Sequence, residues 1–222
     1  MTISLLDVIK YFANEPHQIE SVQWLQANIA PDTLKQFEAM WRSSEPELLS
    51  ASQLHGICPD VTIEMLNPYA IALNKGFVKF GMTSKIRIAH FIAQVAHESD
   101  GFNTTEEYAS GEEYEGRTDL GNTEVGDGLR YKGSGLIELT GRYNYEKCGK
   151  ALGVDLIANP QLLRELPLCV DSAFWFWNTN ELNQYADADD IETITRIING
   201  GLNGFESRQE YLARAKHELG IR

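Results

Sequence analysis

TSKIRIAHFIAQVAHESDGF, residues 83–102, is the stretch on which the reading of the fold turns. Thr83 or Ser84 supplies a hydroxyl suited to an N-cap. From there Ile88, Phe91, Ile92 and Val95 fall on one helical face, flanked by Ala89 and Ala96. His90, Gln94 and His97 lie opposite or to the side. A helix this apolar packs at the centre of its domain. Glu98 falls at its margin, one turn after Gln94, so its carboxyl is held beside apolar walls. The polar segment EEY, residues 106–108, follows, and puts Glu107 nine residues beyond Glu98 in a wetter place. Two carboxyls in unlike environments suit acid/base chemistry. The half-buried one keeps its proton near neutrality, while the other stays ionised and can activate water.

Outward from this helix the chain stays mostly α. Residues 99–135 are rich in glycine and acids and show little periodicity. A stretch of that length inside a compact domain is usually functional. LRYKGSGLIELT, residues 129–140, reads as a short strand or hairpin. Helices resume near Tyr143–Ala151, Pro167–Trp177, Ile191–Ile198 and Ser207–Leu219. DADD, residues 187–190, gives one of them an acidic start, which suits a helix N-terminus. Toward the N-terminus three short helices are expected. The first covers Ile3 to Phe12. The second follows Pro16, with Ile19, Val22, Leu25 and Ile29 near helical spacing. The third follows Pro31, with Leu34, Phe37 and Trp41. The break SSEPE, residues 43–47, divides a helical module over residues 1–45 from a larger domain over residues 46–222.

Composition narrows the function classes. The 222 residues are 43% hydrophobic and carry a formal charge of −13. That charge argues against nucleic acid as a partner, and against a basic membrane-adsorbing tail. No apolar run approaches the ~18 residues of a membrane span. The N-terminus lacks a basic region and a small-residue cleavage site, so it reads as a helix and not as a signal peptide. The three cysteines, Cys58, Cys148 and Cys169, form no CxxC pair and read as buried free thiols.

Each candidate has a plain structural reading beside the functional one. His97 next to Glu98 invites a metal, but HESDG is not HExxH and has no second ligand one turn on. His90 and His97 are two turns apart, so no metal and no cofactor are expected. Glu106, Glu112, Glu113 and Glu115 crowd the same loop as Glu107, and composition does not choose among them. FWFWN, residues 174–178, reads as core packing of a helix. Tyr108, Tyr114 and Tyr131 read as loop tyrosines on which a sugar could stack. In IINGG, residues 197–201, the glycines read as a helix C-cap, and Asn199 just before them can reach into a cleft.

AHESDGF, YASGEEYEGRTDLGNT, GDGLRYKGSGLIELTGRYNY and ITRIINGGLNG, in that order, resemble glycoside hydrolase family 19, within it the bacteriophage endolysins and chitinase-like bacterial proteins. The resemblance runs from about Leu48 to the C-terminus. It implies a mostly helical, lysozyme-like domain with a cleft between two lobes, hydrolysing β-1,4 bonds next to N-acetylhexosamines with inversion. By the same resemblance Glu98 is the general acid and Glu107 the base. Thr140, Tyr143 and Asn144 of IELTGRYNY line the cleft, Asn199 joins them, and Arg208 supports the carboxylates. Tyr108 and Tyr131 are added as stacking candidates. VQWLQANI in the first 45 residues resembles the signature of small peptidoglycan-binding modules.

Two positions depart from the family pattern GRGxIQLT. Ser134 stands where it has arginine, and Glu138 where it has glutamine. Glu138 would put a third carboxyl in the cleft, and like charges raise one another's pKa. The expectation is an endolysin that cuts peptidoglycan as a lysozyme-type muramidase. It would be monomeric, held in the host bacterium's cytoplasm until lysis, and then act on the periplasmic wall. A chitinase of the same fold is the first alternative. A non-catalytic wall-binding or virion structural protein is the second.

Overall fold

The computed structural model describes residues 46–221. The three helices expected over residues 1–45, and the module they would form, lie outside the described residues. Nine α-helices follow in order among the described residues: α1 (Ala51–Ile57), α2 (Ile63–Lys79), α3 (Lys85–Glu98), α4 (Asp127–Arg130), α5 (Arg142–Leu152), α6 (Leu168–Thr179), α7 (Asn183–Asp187), α8 (Ile191–Asn199) and α9 (Phe205–Glu218). Three 3-10 turns, Glu112–Tyr114, Thr118–Leu120 and Pro160–Arg164, punctuate the connections. The fold is mostly α, as the sequence implies.

Local chemistry sets several boundaries. Ser50 and Gln53 close a capping box at the start of α1, each satisfying a backbone N–H of the other. Thr62 caps α2 through Met65 N. Asp190 accepts from Thr193 N at the start of α8, so the acidic run does cap a helix. Gly200, at φ 74°, ends α8 in the left-handed conformation.

α3 is the central helix, and it is buried more completely than its wheel suggests. Every residue from Ile88 to Ala96 is buried, His90 and Gln94 included. The polar side is not solvated, because α9 lies along it and supplies Arg208, and the turn between α7 and α8 supplies Asp189. Gln94 accepts from Arg208, and His90 Nε2 lies 2.7 Å from Asp189 Oδ1. A buried polar group is tolerated when it is hydrogen-bonded in this way.

Two hydrophobic cores result. The larger gathers α1, α2, α3, α6 and α9, with Phe77, Phe91, Phe174 and Trp177 at its centre. Phe91 and Phe174 stack at 4.4 Å between ring centroids. The FWFWN run is therefore core at Phe174 and Trp177, as its helical spacing indicates. The smaller core holds Tyr131, Leu139, Tyr145, Cys148, Leu156 and Leu163. The hairpin is minimal: Ser134 bridges antiparallel to both Glu106 and Leu139. Leu136 and Ile137 belong to the large core and Leu139 to the small one. The chain thus crosses between the two cores at Glu138. All three cysteines are buried and free. No described helix is long and apolar enough to cross a membrane.

Candidate active site

The end of α3 and the first turn of α9 build one wall of a cleft of ≈ 540 Å³. Its lining includes His97, Glu98, Asp100, Tyr108, Glu138, Asn199, Arg208 and Tyr211. Arg208 is the anchor. Its side chain is fully buried, and its guanidinium donates to Glu98 Oε1 at 2.5 Å and to Gln94 Oε1. Gln94 in turn donates to Thr195 Oγ1 at 3.2 Å, which ties α3 to α8 and α9. A buried guanidinium with several acceptors fixes the orientation of its carboxylate partner. Glu98 is only 11% exposed and is held by Oε1. Its Oε2 has no hydrogen-bond partner among the described residues and is the atom left to serve the cleft.

His97 beside it is held down by Ser207, with Nδ1 3.0 Å from Oγ. Burial, and then the Arg208 charge, lower its pKa to about 4. It is therefore a neutral imidazole at ordinary pH. No group of acids, histidines and cysteines suited to a metal ion occurs among the described residues.

Glu107 stands on the hairpin side, beside Glu138 and outside the residues that line the cleft. Tyr114 Oη donates to its Oε1 at 2.9 Å, and Gly133 N–H donates to its Oε2 at 3.0 Å. Of the competing acids of the loop, Glu112 and Glu113 are exposed, and Glu106 and Glu115 are engaged elsewhere. Glu106 pairs with Lys132 and Arg164. Glu115 accepts from the N–H groups of Gly126 and Gly128.

Glu138 stands over the same glycine as Glu107. A Cβ built on Gly133 would lie 3.1 Å from Glu107 Cβ and 3.2 Å from Glu138 Cβ, so no larger residue fits between them. Glu138 adopts φ 49°, a left-handed conformation that costs a non-glycine residue ~1–2 kcal/mol. Thr140 Oγ1 donates to its carbonyl at 2.8 Å. Burial, then the charges of Glu98 and Glu107, push its pKa up to about 7, against the weaker opposing pull of Arg208.

The other residues singled out from sequence fall into two groups. Tyr108, 78% exposed, lines the cleft and donates to Asp100 Oδ2 at 3.0 Å; Asn199 lines it as well. Tyr131 does not reach it, which corrects its reading as a stacking platform. It is fully buried in the small core, edge-on to Tyr145 and under the Arg142 guanidinium. Its loop is folded inward by Arg142, which pairs with Asp127 and Glu124. Thr140, Tyr143 and Asn144 are not among the residues lining the cleft. Thr140 and Asn144 brace the turn behind it, Asn144 Nδ2 donating to Thr140 O at 2.7 Å. Tyr143 is exposed, with the Lys147 ammonium over its ring. Asp100, Ser207 and Tyr211 were not singled out from sequence. The signal for Tyr211 was its place three residues after Arg208 on α9, on the same face.

The chitinase class I family model of glycosyl hydrolase family 19 matches residues 57–194. A Haemophilus influenzae protein described as a glycosyl hydrolase family 19 domain-containing protein is 32% identical over 185 residues, covering 67% of this chain and 90% of its own length. Endochitinase 1 of Theobroma cacao is 32% identical over 187 residues, covering 68% of this chain but 57% of that enzyme. The chain thus spans little more than half of the plant relative. Among solved structures, chitinase C from Streptomyces griseus superposes with a TM-score of 0.65 at 24% identity, over 78% of this chain and 77% of that one. That likeness carries the fold.

Proposed function

The chain belongs to glycoside hydrolase family 19, the chitinase class I family, and on that premise we propose that it cleaves β-1,4 bonds of peptidoglycan as an inverting endolysin. The observation that carries the reading is the Glu98–Arg208 pair at a cleft that also receives Glu138, with Glu107 beside it. Glu98 Oε2 donates the proton to the leaving glycosidic oxygen. Glu107, oriented by Tyr114 and Gly133, takes a proton from water attacking the opposite face of the sugar. Such a pair works without a covalent intermediate, and the water inverts the anomeric centre. Tyr108 and Asn199 offer stacking and hydrogen-bonding surface to an uncharged sugar.

Peptidoglycan is favoured by the endolysin-like run of motifs. In this reading a monomer is stored in the bacterial host's cytoplasm and reaches the periplasmic wall when the membrane is opened. Chitin is the second reading, favoured by the plant endochitinases and the chitinase structures to which the chain is similar. Mass spectrometry of digests separates the two. New reducing N-acetylmuramic acid from cell walls is the expected product. Release of N-acetylglucosamine oligomers from chitin, with walls untouched, would establish the second. Glu98→Gln keeps an oxygen to accept from Arg208 but has no proton to give. It is expected to lose roughly 10²–10⁴-fold in rate with an unchanged circular dichroism spectrum. Turbidity of permeabilised cells that falls equally fast with this variant would remove Glu98 from the mechanism.

A further inference from the structure

The mechanism above leaves two carboxyls of the cleft without a task, Asp100, which accepts from Tyr108, and Glu138, which has no such partner among the described residues. Its position is built with some care. The residue before it packs into the large core and the residue after it into the small one. Its left-handed backbone is the device that turns the chain between them. Strained residues cluster at functional sites, and this one also lies at the junction of the two cores and lines the cleft. Among the described residues no hydrogen bond or ion pair reaches its carboxyl.

The charged and titratable groups around it come from every neighbouring element. Glu98 ends α3, Arg208 lies on α9, and Glu107 sits beside it. Tyr108 and Tyr114 also feel its charge, and both hydroxyls are held in the neutral form. Arg208 is already committed to Glu98 and Gln94.

Resting on the glycan-cleaving function proposed above, we propose that Glu138 is a specificity-determining residue, which meets an uncharged sugar as a neutral acid and lets it go when it ionises. A neutral carboxyl donates one hydrogen bond and accepts others, as an amide does, and so complements a sugar hydroxyl or acetamido group. A carboxylate only accepts. The half-buried, unpaired site and its two acidic neighbours favour the neutral form up to about pH 7. Glutamine has the same shape and offers a donor at every pH. Glu138→Gln therefore imitates the neutral acid permanently.

The test is the affinity of an N-acetylglucosamine tetramer for the full-length chain, measured by calorimetry between pH 5.5 and 8.5. Sulfur in place of the glycosidic oxygens of the tetramer prevents cleavage, so Glu98, whose charge helps hold the proton on Glu138, stays in place. Binding with Glu138 in place is expected to weaken up to about tenfold per pH unit above pH 7, and binding with Glu138→Gln added to stay level. Carboxyl-carbon NMR follows Glu138 directly, the variant identifying its resonance, and is expected to show titration near 7. Level affinity with Glu138 in place, or titration in the ordinary glutamate range, overturns the role. So does tighter binding of the de-N-acetylated tetramer above pH 7, since the carboxylate would then be the recognising form. Absence of binding by either protein at every pH, both to this tetramer and to one of alternating N-acetylglucosamine and N-acetylmuramic acid, overturns the glycan reading itself, and the role with it.

Discussion

At the residue scale the site rests on one buried cation. Arg208 is fully enclosed, and it is satisfied by Gln94, Glu98 and, at 3.4 Å, the Asn203 carbonyl. Removing one partner of a buried ion pair strands the other, at a typical cost of ~3–5 kcal/mol. Glu98 keeps some access to water, so Arg208→Ala is expected at the lower end, about 3 kcal/mol, or roughly 6–12 °C in Tm for a chain of this size. Thermal melts followed by circular dichroism check this. Glu138 gives a pH-dependent counterpart. Its folded-state pKa, about 7, lies above its ordinary value of 4.5. The folded chain therefore holds a proton that the unfolded chain has released. Glu138 contributes stability below about pH 4.5, and this is lost as pH rises toward 7. Glu138→Gln is expected to raise Tm relative to the native chain at pH 8 and not at pH 4. After solvent screening of a partly exposed group the gain is on the order of 1 kcal/mol. Equal Tm differences at the two pH values would refute it.

At the element scale two glycines set how closely helices approach, with opposite consequences for activity. A Cβ at Gly76 on α2 would lie 2.0 Å from the Phe174 ring on α6, deep in the large core. Overpacking of this kind costs ~1–3 kcal/mol. Gly76→Ala is expected to lower the denaturation midpoint by that amount and to leave kcat/KM per folded molecule close to native. Gly204 caps α9 at φ 69°, and a Cβ there would lie 2.2 Å from the His97 ring. The ring must shift, which strains its bond to Ser207 beside Glu98. Gly204→Ala is expected to lower kcat at least tenfold, since small misplacements beside reacting groups are amplified in rate. A variant that is merely less stable, with native kcat, would show that His97 moves without disturbing Glu98.

At the scale of the whole molecule the compact unit carrying the site runs from Leu48 to the C-terminus. Leu49 and Leu54 at its start are already part of the large core, so the unit has its own hydrophobic closure. A chain of residues 46–222 is expected to be soluble, to melt cooperatively and to cleave soluble glycan fragments at the native rate. It should bind whole walls less well, because residues 1–45 would be the wall-docking module. Insolubility of the truncated chain, or native wall binding by it, would contradict that division.

How much of this was legible beforehand follows from the kind of interaction involved. Periodicity is local, and it located α3, α5, α6, α8 and α9 to within a few residues. The acidic cap of α8 and the glycine C-cap after Asn199 are chemistry between near neighbours in the chain, and were legible for the same reason. The placing of Glu98 at the edge of a buried helix needed only its spacing from Val95. Three things were decided by packing between distant segments. Tyr131 looks like an exposed loop residue until Arg142 and Asp127 draw its loop into the small core. His90 and Gln94 look solvated until α9 and Asp189 cover them. The unusual Glu138 is visible in the sequence as a letter. Its backbone turn between two cores, its crowding against Glu107 over Gly133 and its raised pKa exist only once 26 to 110 residues of separation have been closed by folding. The sequence by itself determined the family and five of the nine described helices; α1, α2, α4 and α7 were not located from it. The tertiary structure decided which carboxyls share a cleft, because desolvation and charge coupling depend on distances in space, which no local pattern encodes.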